Sequence, residues 1–201
     1  MGTLYLIGAS ILWGVVHSYL ASHTFKNAIR RVVGDAAFDR MYRFSYNFFS
    51  VASFFPLWMM LTTFADSPLY SIPSPWIYVT TVLQGLALLA LIAGVMQTGP
   101  LEFAGLAQLV EIGSPKSATL VTDGLYAYVR HPLYSAGLVF IWFSSEMTVN
   151  RLALFAVFTL YIIIGAYFEE RKLLKDFGEA YAQYKARVPM LIPKWMVDGR
   201  P

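Results

Sequence analysis

Five stretches of this chain are nearly free of charge, and polar segments of unequal character separate them. Leu4 to Ala21, Phe44 to Phe64 and Trp76 to Met96 each reach or approach the ~20 residues that a helix needs to cross a bilayer core. Leu133 to Phe143 is short for a crossing unless its helix begins near Tyr126. Leu152 to Phe168 is long enough. Only Ser144 to Arg151 joins these last two runs, which predicts an antiparallel helical hairpin. The first run has no basic residue ahead of it, and Leu20-Ala21-Ser22 is a poor small-x-small cleavage site. It therefore reads as a retained helix.

The segments between are informative in their own right. His23 to Arg43 is polar. Asp66 to Pro75 carries three prolines and reads as a loop. Gln97 to Arg130 is broken by Gly99-Pro100, Gly113, Pro115 and Gly124, which argues against a span; Leu101 to Val110 is expected to lie in the interface as a short helix. After Phe168, Leu173, Leu174, Phe177, Tyr181 and Tyr184 recur at three- and four-residue spacing. This predicts one amphipathic helix from Glu169 to Arg187, with acids opening it, bases closing it, and Pro189 and Pro193 beyond its end. The expected fold is an all-α polytopic bundle of about five membrane helices plus this C-terminal cytoplasmic helix, forming a single integral membrane domain.

Composition agrees. The chain is 57% hydrophobic and only 13% charged, against ~25% in soluble domains. Cysteine is absent, which excludes disulfides, a thiol nucleophile and thiolate metal sites. The three histidines show no metal-ligand spacing, so no metal site is expected. The basic residues flank apolar runs, as at a membrane surface, and nothing points to nucleic acid. Their distribution sets an orientation. Lys26, Arg30, Arg31, Arg40 and Arg43 follow the first run and none follows the second; Lys116 and Arg130 follow the third; Arg151 alone marks the hairpin tip, and the tail holds seven. Five crossings with the N-terminus outside and the tail in the cytoplasm fit this alternation, in a bacterial inner membrane.

Two polar clusters carry the candidate chemistry: Thr119 to Tyr134, and Glu169-Glu170-Arg171 at the end of the fifth run. The hairpin brings the start of the fourth run beside the end of the fifth, so Arg130, His131 and Tyr134 should lie near Glu169 and Glu170. Ionisable groups facing the interior of a membrane bundle are functional candidates. Taken singly, each has an ordinary reading: Arg130 and His131 could reach for headgroups, and Tyr126, Tyr128 and Tyr134 could form an aromatic belt. In the first half, His17 lies about a turn from the end of its run and needs a partner. A helix-packing hydrogen bond with Ser18 or Ser50 and a substrate or haem contact are both open. Asn47 and Gln84 read as amides bridging helices.

The segments Thr119 to Tyr134, Glu169-Glu170 and Phe177 to Pro189 together resemble the isoprenylcysteine carboxyl methyltransferase family, which includes phospholipid and small-thiol methyltransferases. The likeness covers Gln97 to Pro193. His17 to Ser22 and Tyr42 to Asn47 are similar instead to bacterial membrane proteins associated with denitrification. The resemblance implies an S-adenosylmethionine-dependent membrane methyltransferase, with residues 97–201 as its cofactor-binding half and residues 1–96 as three N-terminal helices. By that resemblance Leu120 and Val121 would wall the adenosine, and Tyr126, His131, Pro132 and Tyr134 would surround the methionine portion. Glu169 would bond a polar group of the cofactor, and Glu111 a ribose hydroxyl. Glu170 and Arg130 are the catalytic candidates, with Glu170 or His131 as base, and His17 is the substrate-side candidate. The carboxyl methyltransferases place an Arg just before the Glu pair; here Gly165-Ala166-Tyr167-Phe168 stand there. The acceptor is accordingly left as a small or lipophilic thiol, amine or carboxylate. The competing reading is a non-catalytic membrane accessory protein of nitrogen-oxide or haem metabolism; a sterol-reductase-like enzyme is a third.

Overall fold

The computed structural model describes residues 1–110 and 119–193. The fold is an all-α polytopic membrane protein. Its elements are α1 (Gly2–Ala21), α2 (His23–Val33), α3 (Asp35–Thr63), β1 (Pro68–Ser71), α4 (Trp76–Thr98), α5 (Pro100–Ala104), α6 (Leu106–Val110), a 3₁₀ turn (Gly124–Ala127), α7 (Pro132–Trp142), β2 (Glu146–Thr148), α8 (Val149–Phe177) and α9 (Glu179–Arg187). Four of these, α1, α3, α4 and α8, are long and apolar enough to cross a membrane. Leu12, Val15, Leu86, Leu89 and Leu160 point outward and are exposed. Lipid matches such surfaces, so they need no protein cover.

Four expectations change in detail. The polar stretch after the first run is helical throughout. Ser22 caps α2 by accepting a hydrogen bond from the Phe25 amide at 3.2 Å, and Gly34, at φ +84°, turns the chain straight into α3, which begins at Asp35, well ahead of Phe44. The loop after α3 contains β1, which pairs antiparallel with β2 at the hairpin tip. α7 does not begin near Tyr126. Pro132 keeps His131 out of the α region (φ −124°, ψ 67°), so the helix starts at Pro132 and has 11 residues. At 1.5 Å per residue it covers about half of the bilayer core. The C-terminal helix is two. α8 runs 29 residues through the Glu pair to Phe177, and Gly178, at φ +53°, breaks it before α9.

The chain forms two compact units. The first holds Met1–Ile72, α5, α6 and Glu146–Tyr161. Its α1 and α3 meet around His17. Tyr46 Oη lies 2.5 Å from His17 Nε2, and Ser50 Oγ lies 3.1 Å from Nδ1. Trp13 stacks on the imidazole at 4.8 Å and donates to Ser53 Oγ at 3.0 Å. Both ring nitrogens are thus engaged by α3, the interhelical bond that a lone intramembrane histidine requires. Asn47 Nδ2 donates to the Phe103 carbonyl at 2.8 Å, tying α3 to α5. Gly105, at φ +81°, sits where a Cβ would strike the backbone of Arg43 and Phe44, so only glycine allows this approach.

At the other end of this unit the start of α1, the end of α3 and the start of α8 share one polar knot. Asn150 is fully buried. It accepts from Thr3 Oγ1 at 2.7 Å and donates from Nδ2 to the Ala65 carbonyl at 3.3 Å. Asp66 accepts from the amides of Ser67 (2.8 Å) and Asn150 (3.0 Å), a carboxylate at the N-terminus of α8. Burial pushes the Asp66 carboxyl up, but hydrogen bonds from Thr148 and these two amides outweigh it and hold it below the ordinary range. These are the three chain segments that the alternation of basic residues places on one side.

The second unit holds Pro73–Thr98 and the described residues 119–145 and 162–193. Here α4 packs along α7. Gly94 lets Leu133 approach, since a Cβ would lie 2.8 Å from Leu133 Cδ2, and Ala87 and Ala136 are both buried. Gln84 Nε2 donates to the Phe140 carbonyl at 2.8 Å.

The knot at the start of α8 generates a prediction. Asn150→Ala leaves the Ala65 carbonyl and the Thr3 hydroxyl without their buried partner, and should cost about 2 kcal/mol of stability. The check is the thermal midpoint in detergent, with the exposed Arg171→Ala variant as control and expected unchanged.

Candidate functional site

The second unit gathers the polar groups of three segments that are far apart in sequence. The first is the turn before α7. Gln97, at the end of α4, accepts from the Leu125 amide at 3.2 Å. Gly124, at φ +57°, lies where a Cβ would collide with the Gln97 side chain. This fixes the 3₁₀ turn and presents Tyr126 just before Arg130 and His131. Leu120 and Val121 precede it, both half-buried.

The second segment is the end of α8, where Glu169 and Glu170 are adjacent and therefore diverge. Glu169 is 44% exposed and accepts from Tyr134 Oη at 2.7 Å. Glu170 is 3% exposed and meets two cations: Arg130 through Nε at 2.6 Å and also through Nη2, and Lys185 Nζ at 2.8 Å. The two carboxylates thus have different surroundings, one open and neutral, one buried and ion-paired.

The third segment is α9 with the strap that follows it. Pro189 keeps Val188 extended (φ −107°, ψ 131°), and the strap runs against the residues before α7. The Arg130 amide donates to the Pro189 carbonyl at 2.9 Å and the His131 amide to Met190 at 3.1 Å. Ser135 Oγ donates to Leu191 at 2.6 Å. Arg130 Nη1 donates to the carbonyls of Lys185, at 3.1 Å, and Val188. Tyr184 Oη donates to the Tyr126 carbonyl at 2.7 Å. Burial pushes the hydroxyls of Tyr181 and Tyr184 up to about 12, so both stay protonated. Burial, then the charge of Glu169, raises Tyr126 in the same direction.

His131 stands at the centre of the three. It is 6% exposed and stacks on Tyr134 at 5.2 Å. Its Nδ1 lies 3.7 Å from Glu169 and its Nε2 lies 3.6 Å from Glu170, both beyond hydrogen-bonding distance. Nε2 and the Tyr181 hydroxyl are buried polar atoms that fall short of a well-formed hydrogen bond, with Glu170 at 3.6 Å the near neighbour of the first and Arg130 that of the second. Burial lowers the imidazole pKa; the two carboxylates raise it and Arg130 lowers it, and the net direction is down. At neutral pH this ring is uncharged.

The turn, the Glu pair and the strap therefore lie together. Arg130, His131, Tyr134, Glu169 and Glu170 share one cluster. Pro132 is buried at the first position of α7, and Tyr126 is joined to it through Tyr184. Glu111 lies outside the described residues. His17 belongs to the first unit, bonded as above. Lys185 and the strap carbonyls were not singled out in the sequence. Lys185 falls one turn after Tyr181, so the spacing that buries Tyr181 also aims the ammonium inward, but a lysine in a charged segment gives no signal of that. Among the described residues no group of three or more His, Asp or Glu could hold a metal ion.

The NnrU protein family matches residues 5–197 of this chain. A methanethiol S-methyltransferase of Pseudomonas sp. (strain GM41(2012)) is 30% identical over 191 residues, which are 91% of this chain and 70% of that protein. Methanethiol S-methyltransferase 1 of Bradyrhizobium diazoefficiens is 33% identical over 186 residues, 90% of this chain and 64% of its own length. A protein-S-isoprenylcysteine O-methyltransferase of Schizosaccharomyces pombe is 39% identical over 85 residues, 39% of this chain and 34% of its own. Each of these relatives is thus longer than the part this chain matches. No solved structure matches the chain. The family match spans both units and the whole polar cluster, so this chain belongs to the NnrU protein family.

Proposed function

We propose that this chain is an integral membrane methyltransferase that uses S-adenosylmethionine and passes its methyl group to a small or lipophilic acceptor. One observation carries the reading. The three segments through which the chain resembles methyltransferases meet in a single buried polar cluster, and its relatives bear methyltransferase names.

The cluster fits such a cofactor. His131 Nε2 and Tyr181 Oη are buried polar atoms short of a partner, and the Glu169 carboxylate, oriented by the Tyr134 hydroxyl, offers an acceptor at the open edge. His131, Tyr134 and Glu169 would hold the methionine portion, with Tyr126 and Pro132 behind them. Leu120 and Val121 would supply apolar contact for the adenosine, and Glu111 a ribose contact. When bound, the cofactor supplies an electrophilic methyl group on a sulfonium. The protein's task is then to align the acceptor in line and keep water out.

Glu170 and His131 divide the remaining work. Glu170 is held as an anion by two cations, and giving it a proton would strand Arg130 and Lys185. It therefore acts with Arg130 as a positioning pair that fastens the strap over the cluster. The neutral His131 can take the acceptor's proton at Nε2 as the new bond to the methyl carbon forms. Gly165 to Phe168 place no cation beside the Glu pair, which favours an uncharged acceptor such as a thiol over a carboxylate. In the first unit His17 has both nitrogens engaged by α3, so it joins α1 to α3; a haem contact would have to break one of those bonds. The tail and the cluster face the cytoplasm of a bacterial inner membrane, as the basic residues direct.

Three outcomes follow. S-adenosylhomocysteine binds the detergent-purified chain in calorimetry, and His131→Ala or Glu169→Ala weakens binding at least about tenfold, each having lost a polar contact of roughly 1.4 kcal/mol or more. Arg151→Ala leaves it unchanged. A folded wild-type protein that binds nothing at millimolar ligand would end the proposal. Glu170→Gln lowers stability by about 3 kcal/mol and raises the Kd together; a variant with unchanged midpoint and Kd but no turnover would instead make Glu170 the base. His131 has a folded pKa below that of the unfolded chain. Its contribution to stability is therefore full above about pH 6.5 and is lost as pH falls towards the folded value. The thermal midpoint should drop on acidification from about pH 7 to about pH 5.5, by less in His131→Gln.

A further inference from the structure

The charge of this chain is concentrated in one place. Residues 23–43 hold five basic side chains and two acidic ones, Asp35 and Asp39; the other ten basic and ten acidic residues cancel. The whole formal net charge of +3 therefore belongs to α2 and the first turns of α3.

The same two elements enclose an apolar slot of about 340 Å³. Phe25, Ile29 and Val33 wall it from α2, and Phe38, Met41 and Tyr42 from α3. Gly34 sets the angle between the helices, and the Ser22 cap fixes the start of α2. Cations stand on the walls. The Arg30 guanidinium carbon lies 4.6 Å from the centre of the Phe38 ring, and Lys26 Nζ lies 5.8 Å from that of Tyr42. Asp39, at 2.8 Å, and Asp35, at 3.6 Å, offset the charge of Arg30. Arg31 is exposed, and beside it Val32 is 82% exposed.

A ligand that satisfies this arrangement needs an apolar chain and an anionic head. A free anion leaves the slot unfilled, and a zwitterionic lipid leaves the charge unmatched. An amphipathic basic helix at a membrane surface meets both needs in one molecule. We infer that the α2–α3 slot binds an anionic phospholipid, with an acyl chain between Phe25, Ile29 and Phe38 and the phosphate towards Lys26 on the slot's wall. The site lies wholly in the first unit and does not depend on the proposed reaction.

The test uses the full chain in mild detergent, with dioleoylphosphatidylglycerol or dioleoylphosphatidylcholine added. Native mass spectrometry and the thermal midpoint are the readouts. The anionic lipid should stay bound with roughly tenfold preference and raise the midpoint, and high salt should reduce the preference. Lys26→Gln should bring the two lipids to parity, whereas Arg31→Gln, on the opposite face of α2, should leave the preference in place. Ala37→Leu, which narrows the slot, should weaken retention of both while S-adenosylhomocysteine binding stays as in wild type. Equal retention of the two lipids by wild type overturns the inference. So does a preference that survives Lys26→Gln, or an equal midpoint shift from inorganic phosphate alone.

Discussion

Arg130 is the residue on which the second unit closes. Its side chain is only 9% exposed, and its guanidinium spends its donors on three partners: the Glu170 carboxylate and the carbonyls of Lys185 and Val188. A planar fork with five donors suits this task, which a lysine could not perform. Besides Arg130, the Lys185–Glu170 ion pair also joins α9 to the end of α8. With Arg130 in place, the last carbonyls of α9 have a cationic donor, as the helix dipole favours, and the strap is delivered to the backbone before α7. Lys185 adds a second cation to Glu170, so the buried carboxylate is compensated twice. Removing one member of such a set is more damaging than the set is stabilising, because the survivors stay buried and unpaired.

That geometry explains why two neighbouring carboxylates differ. On a helix, consecutive residues point about 100° apart. Glu170 points inward to Arg130 and Glu169 points to the open edge, where Tyr134 reaches it. One position can be structural and the other available without any change of residue type. His131 is held between them by its backbone amide on the strap and by its ring on Tyr134, with Nδ1 towards Glu169 and the buried Nε2 towards Glu170.

Much of this was legible in the sequence. The apolar runs marked four long helices because lipid tolerates an apolar surface on every side, so composition and length suffice. The pairing of the turn before α7 with the Glu pair followed from the short connection after α7. What the sequence did not reveal came from single residues acting through backbone geometry. Pro132 delays α7 and makes it half-length; Gly178 divides one expected helix into two; Gly34 lets a polar stretch remain helical through a sharp turn. The strap was invisible for another reason. Its contacts are backbone carbonyls, which carry no sequence signature, and only Pro189 hints that the chain there is extended.

The two units show contrasting uses of polar groups in an apolar solvent. In the first, the polar side chains that join the long helices have local partners, although Gln108 Oε1 of α6 is buried without one. Tyr46 and Ser50 meet His17, Ser53 meets Trp13, and Asn150 meets Thr3 and Ala65. Such pairs hold helices where apolar contact alone distinguishes poorly between protein and lipid. In the second, satisfaction is incomplete at His131 Nε2 and Tyr181 Oη, although both atoms are buried. A buried donor or acceptor without a partner costs about 1–3 kcal/mol, and a fold that could bond His17 on both nitrogens had the means to bond His131 as well. On the proposed function, the unmet pair is where the protein trades stability for binding, and it falls on the neutral imidazole between two carboxylates rather than on the ion-paired Glu170.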